Sequence, residues 1–303
     1  MKTLKNKKAL SFFLLTIFVA TMFLSGCGTK EPATKDEIKV LRVGAVPGEE
    51  VQKRKDQYQP FMDYLSKKLD MEVELFVAND YAGTIEAMRA GKLELAGYGP
   101  LSYVLAADIA NAEAFAAGYT EEQGIYYKSF IIVHKDSDIH SISDLKGKTF
   151  AFVDPASTGG HLIPRMAMLK NGIDPEVDLA SVVYVGGHDA CAAAVQNKNV
   201  DAAAIVKHMY ERAIAQGILV EEDVRIIDVS DPFPGGPWAW HKDLPQDLKD
   251  KIKDAITNIP EEEYENLKDF LGKTTHYEPV QDSDWDSIRE AAELINLDLT
   301  KSI

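Results

Sequence analysis

Only two cysteines, Cys27 and Cys191, occur in the 303 residues, so no disulfide framework can hold the fold and stability must come from a buried core. Cations are also scarce. The 33 Lys and Arg face 48 Asp and Glu, for a formal charge of −15, which removes the clustered positive surface that binding to nucleic-acid phosphates requires. Signatures of familiar catalysts are missing: there is no GxSxG elbow, no HExxH, no Walker loop and no CxxC. The histidines, at positions 134, 140, 161, 188, 208, 241 and 276, have no compact metal-ligand spacing. These absences point away from an enzyme and call for no metal and no cofactor. At 46% hydrophobic the chain can nonetheless bury a core large enough for one big domain or two ordinary ones.

The first residues stand apart. Lys2, Lys5, Lys7 and Lys8 precede the apolar ALSFFLLTIFVATMFL, which ends in Ser25, Gly26 and Cys27, the order of an export signal over residues 1–26. LSGC resembles a bacterial lipobox, which implies that Cys27 is the lipid attachment site and the first mature residue. Residues 27–38, polar and without periodicity, read as a flexible tether. The expected location is therefore outside the cell membrane, anchored through lipid on its outer face. Cys191, in the alanine-rich HDACAAAV, reads as a small buried hydrophobe.

From residue 39 strand and helix patterns alternate: VLRVGAVP, YQPFMDYLSKKL, MEVELFVA, DYAGTIEAMRAGK, LELAGYG and LSYVLAADIANA in turn. This alternation predicts parallel α/β sheet. KSFIIVHKDS is a candidate crossing strand, and DLKGKTFAFVDP opens a second unit of the same kind that closes near the Pro-Gly cluster at 232–237. Two α/β units joined by two crossings leave a cleft between them, with ligand-binding turns at the carboxyl ends of strands.

The stretch most suited to binding is FVDPASTGG, residues 152–160. If Ser157, Thr158, Gly159 and Gly160 open a helix, their backbone N–H groups and two hydroxyls form an uncharged cradle for an anion; Ser157 or Thr158 alone would also serve as an ordinary cap. GGHDA at 186–190 puts His188 at another strand end, as a further donor or as a capping histidine. Tyr81, Tyr98, Tyr126 and Tyr127 stand at turns where a phenol suits a ligand with polar and apolar parts, or where it fills core or rim.

Several of these stretches together resemble the phosphonate-, phosphite- and phosphate-binding lipoproteins of bacterial ABC importers. They are DYAGTIEAMRAGKLELAGYGPLSYVLA, YYKSFIIVHKDS, DLKGKTFAFVDPASTGG and the GGHDA segment with the following VDAAA. The resemblance implies the type II periplasmic binding protein fold, with two α/β lobes joined by two hinge strands. Lobe 1 would span 39–127 and 235–303, and lobe 2 would span 128–234. It implies ligand contacts from Tyr81, Tyr127, Ser157, Thr158, Gly159 and His188, with Tyr98, Gly160 and His208 as further candidates. Gly159 stands where the family carries a third hydroxyl. His208 and Gly236 stand where aminophosphonate binders carry carboxylates. The implied function is capture of a compact phosphorus oxyanion, such as phosphite, methylphosphonate or phosphate, by lobe closure and its delivery to an ABC permease. The implied state is a monomer. Other readings are a different oxyanion or small organic phosphate as ligand, or a sensor or enzyme on the same fold.

Overall fold

A computed structural model describes residues 38–297. The expected signal segment, Cys27, the tether up to residue 37 and the last residues of the expected lobe 1, 298–303, lie outside the described residues.

In chain order the first elements are β1 (Val40–Ala45), α1 (Val51–Leu69), β2 (Glu72–Val77), α2 (Tyr81–Arg89), β3 (Leu95–Gly97), α3 (Pro100–Ala110) and β4 (Ala112–Tyr119). Then come β5 (Tyr126–Tyr127), β6 (Ser129–His134), β7 (Thr149–Phe152), α4 (Ile163–Lys170), β8 (Ser181–Tyr184), α5 (His188–Gln196), β9 (Ala202–Val206) and α6 (Lys207–Ala215). The chain finishes with β10 (Val224–Val229), β11 (Phe233–Pro234), β12 (Pro237–His241), α7 (Gln246–Thr257), α8 (Tyr264–Leu271), β13 (His276–Pro279) and α9 (Asp286–Leu294).

Two main sheets result. One has the order β13-β4-β12-β3-β1-β2 and the other β10-β6-β9-β7-β8, while β5 and β11 pair with each other alone. The predicted α/β alternation is present, but the sheets are mixed. β1 runs parallel to β2 and β3, and β7 runs parallel to β8 and β9. β12 is antiparallel to both β3 and β4, and β6 is antiparallel to β9 and β10. A strand that re-enters a sheet after a long excursion is free of the direction that a βαβ crossover imposes.

Two local expectations also change. KSFIIVH is not a crossing but contains an inner strand, β6, whose central Phe130–Val133 are apolar because both faces are covered; the crossings are the short β5 and β11. The helix expected across LSYVLAADIANA stops at Ala110, where Asn111 takes a left-handed conformation (φ 53°), and AEAFAAGY becomes β4. The small residues Ala114 and Ala116 face the β12 register, and Phe115 stacks on Trp240 with centroids 3.9 Å apart. In the same half, Phe61, Trp238 and Phe270 pack together, with Phe61 and Phe270 stacked at 4.1 Å. Trp285 donates its indole N–H to the Gly235 carbonyl at 2.9 Å, fixing the turn before β12. Helix α1, which borders the site, is capped by Glu50, whose carboxylate accepts the Gln52 and Lys53 N–H groups.

Candidate functional site

Turns at the carboxyl ends of β1, β2, β3, β7, β8 and β9 converge on a cavity of 310 Å³, where a ligand of an open α/β sheet is expected. After β7, Asp154 shapes the loop: one carboxylate oxygen accepts the Ala156 N–H at 2.8 Å and the other the Tyr81 N–H at 3.3 Å. Burial holds the Asp154 pKa above the usual carboxylate range. Ser157 then caps a wide π-helical turn over Thr158–Leu162, its Oγ accepting the Gly160 N–H at 3.1 Å. The sequence predicts an α-helix opening here. The observed turn is one residue wider, a form that recurs at binding sites, and α4 begins only at Ile163.

Ser157, Thr158 and Gly159 all line the cavity. Thr158 Oγ1 accepts the Leu101 N–H at 2.7 Å, which leaves the hydroxyl proton for an acceptor in the cavity. Gly159 has no room for a side chain, since a Cβ would fall 2.3 Å from Val206 Cγ1 and 3.1 Å from the Phe233 ring. The third hydroxyl is thus excluded by neighbours, and the main chain alone faces the ligand space. Gly160 is placed differently. It is not among the cavity-lining residues, its N–H is taken by Ser157, and a Cβ there would meet Val153 at 2.4 Å; its role is close packing on β7.

His188 begins α5 and donates its backbone N–H to the Gly48 carbonyl at 2.8 Å. Its ring is 6% exposed and lines the cavity, and Nδ1 has no hydrogen-bond partner. Burial, reinforced by His208 and Arg54, drives its pKa down to about 3, so the ring is a neutral imidazole. His208 also lines the cavity, at an exposed position, and its pKa is lowered by the protein atoms packed around the ring and by the charges of Arg212 and Arg54. It packs edge-on against Tyr127, centroids 5.5 Å apart. Among the tyrosines, Tyr81 and Tyr127 present phenols whose pKa is pushed up by burial, leaving both as proton donors. Tyr98 lines the cavity too, but its hydroxyl points at Met88 Sδ, 3.5 Å away, so it supplies wall and backbone and not a donor. Tyr126 is 48% exposed and lies at the rim.

Two features were not legible in the sequence. The cradle itself carries no cation, as expected, yet Arg54 from α1 lines the same cavity, and the site as a whole is not neutral. In the sequence Arg54 sits in QKRKDQY, among Lys53, Lys55 and Asp56, with no pattern that singles it out. The second feature is an aromatic wall beside the cradle, formed by Tyr58, Trp238, Phe270 and Tyr277. Gly236 belongs to this side. A Cβ there would fall 1.8 Å from the Tyr98 carbonyl oxygen, so the position has no space for the carboxylate that the resemblance suggests.

A profile of the family described as "ABC transporter, phosphonate, periplasmic substrate-binding protein" matches residues 43–285. Escherichia coli has a relative, the phosphonates-binding periplasmic protein, 36% identical over 236 residues, covering 75% of this chain and 69% of that one. The phosphate-import protein PhnD of Mycolicibacterium smegmatis is 31% identical over 275 residues, covering 84% of this chain and 86% of its own. Among solved structures, the binding protein component of an ABC phosphonate transporter from Pseudomonas aeruginosa superposes with a TM-score of 0.78 at 29% identity, covering 87% of each chain. The fold is thus the mixed α/β fold of periplasmic binding proteins. With that architecture, and with the profile spanning most of the described residues, the chain belongs to the family of phosphonate periplasmic substrate-binding proteins of ABC transporters.

Proposed function

We propose that this chain captures a small phosphorus oxyanion, with phosphite, methylphosphonate and phosphate as the candidates, and hands it to an ABC permease without making or breaking a bond. The observation that carries this reading is the convergence of donors: the Ser157 and Thr158 hydroxyls, the Tyr81 and Tyr127 phenols and the buried imidazole of His188, whose Nδ1 has no partner, all border one cavity. Charge-assisted bonds to an oxyanion would satisfy them together. The relatives' names cover the same chemistry, and a structurally similar protein from Prochlorococcus marinus, 22% identical, was solved with methylphosphonate.

Within this class, the aromatic wall favours a ligand with a carbon substituent over bare phosphite, and equally supports a small organic phosphate as the second reading. An ammonium is disfavoured, because His208 is neutral and Gly236 has no side chain to balance it. The chain would work as a monomer tethered through a lipid on Cys27. Its lobes, 39–127 with 235–303 and 128–234, would close about the paired β5 and β11. The test is native mass spectrometry of the purified protein, followed by calorimetry with phosphite, phosphate, methylphosphonate, aminoethylphosphonate and sulfate. Methylphosphonate should bind at least tenfold tighter than aminoethylphosphonate. Binding of sulfate alone would overturn the reading.

A further inference from the structure

Arg54 is held in an unusual position for a residue of an exposed helix turn. Its Nε donates to the Pro47 carbonyl at 2.7 Å, and its guanidinium lies over the Tyr58 ring, 5.5 Å from the centroid. Nη1 is 3.7 Å from Glu49 Oε1, outside hydrogen-bond reach. Among the described residues no acceptor takes the Nη2 protons. That end of the group is made possible by Gly48, whose backbone is left-handed (φ +61°) and whose missing Cβ would lie 2.6 Å from Nη2 and 3.5 Å from the Tyr81 hydroxyl. Nη2 and the Tyr81 phenol therefore converge on one point at the cavity edge. Glu49 does not cancel the charge: its carboxylate, 2% exposed, is shared among Arg212 at 3.0 Å, Lys53 at 3.3 Å and Arg54 at 3.7 Å. In a chain of charge −15, the wall of this cavity is locally positive.

We infer that Arg54 is a ligand-binding and charge-selecting residue, whose free Nη2 completes the cradle and favours a doubly ionised phosphoryl group over a singly charged oxyanion of the same shape. The inference rests on the reading of the ligand as a phosphorus oxyanion. Hydroxyls and amides alone bind a tetrahedral oxyanion largely by shape; a fixed guanidinium adds an attraction that grows with the ligand's charge. A phosphoryl group can lose a second proton near or just above neutral pH, whereas a sulfonate carries one charge throughout.

The experiment compares methylphosphonate with methanesulfonate at pH 8 by calorimetry in the full mature chain, for the unmodified protein, Arg54→Gln and Arg54→Lys. Arg54→Gln should weaken methylphosphonate by about 10- to 100-fold while changing methanesulfonate much less, so that discrimination between them narrows. Arg54→Lys, which keeps the charge without the fork, should recover part of it. Melting of the ligand-free variants checks that both are folded. An equal loss for both ligands, or no loss for methylphosphonate in Arg54→Gln, overturns the inference while leaving the proposed function standing. If the unmodified protein binds no phosphorus oxyanion, the functional reading falls and this inference falls with it.

Discussion

Ser157 and Thr158 each hold one backbone N–H; the Thr158 proton is left for a ligand, and the Ser157 hydroxyl meets the Tyr81 phenol at the same cavity. Ser157→Ala and Thr158→Ala should each weaken oxyanion binding by about 1.5–3 kcal/mol, the range for bonds to charged groups. Thr158→Ala should also lower stability by about 1 kcal/mol, because the Leu101 N–H in the first turn of α3 loses its acceptor. Calorimetry and thermal melting separate the two effects; unchanged affinity in both variants would move the site elsewhere. Gly159→Ser, an attempt to add a third hydroxyl, should instead cost about 1–3 kcal/mol by overpacking against Val206. Pairing it with Val206→Ala should recover part of that loss. A Gly159→Ser variant that melts and binds like the parent would show that the loop has room after all.

Elements were easier to read than their partners. Apolar strands beside turn signals made β1, β7 and β9 visible, and the glycine turn Gly186–Gly187 after β8 put His188, the first residue of α5, at a strand end, as the structure has it. β4 was hidden because alanines carry little strand signal, and its assignment depends on Trp240 and Phe115 meeting across the sheet. The aromatic wall draws on α1, β12, α8 and β13, which are far apart in the chain, from Tyr58 to Tyr277; no local pattern encodes such a meeting. Likewise the role of α6 emerges only in three dimensions. Arg212 bonds to Glu49 at 3.0 Å and to Gln57 at 3.1 Å, and Lys207 bonds to Glu122 at 2.6 Å. These contacts join residues on opposite sides of the proposed lobe boundary, so Arg212→Ala should favour an open arrangement. Affinity should fall by about 1–2 kcal/mol, since a buried carboxylate loses its best partner while Lys53 and Arg54 remain. Small-angle scattering on the ligand-free variant should report a larger radius of gyration than the parent. Equal radii together with equal affinity would remove this latch from the account.

Across the molecule, two buried histidines set a pH limit. Burial depresses His161 to about 4 and His188 to about 3. Unfolded, each takes up a proton near its ordinary value of about 6.5; folded, each stays neutral until far lower pH. The unfolded chain therefore binds more protons over this interval. Stability should be intact above about 6.5 and should fall as pH drops toward 4, at a limiting slope of about 1.4 kcal/mol per pH unit for each histidine. His161 is the cleanest probe. It lies outside the cavity lining and is fixed between the Pro155 carbonyl and the Tyr184 hydroxyl. Melting curves at several pH values should show a shallower acid slope for His161→Gln than for the parent, and a parent curve flat from pH 7 to 5 would sink the assignment.

The position of β12, between β3 and β4, also dictates an order of assembly. As the chain is made or crosses a membrane, β3 and β4 emerge early, but the strand that joins them arrives only after the whole of β6 to β10 has passed. Until then the first sheet has a gap in its middle and two open edges, whereas the second sheet, drawn from one continuous stretch, can be completed by itself. A chain interrupted before Pro237 would thus hold one finished half and one sticky half. Pro237–His241 is the keystone segment, and a binding-competent protein exists only once the late residues have been threaded back into the early ones.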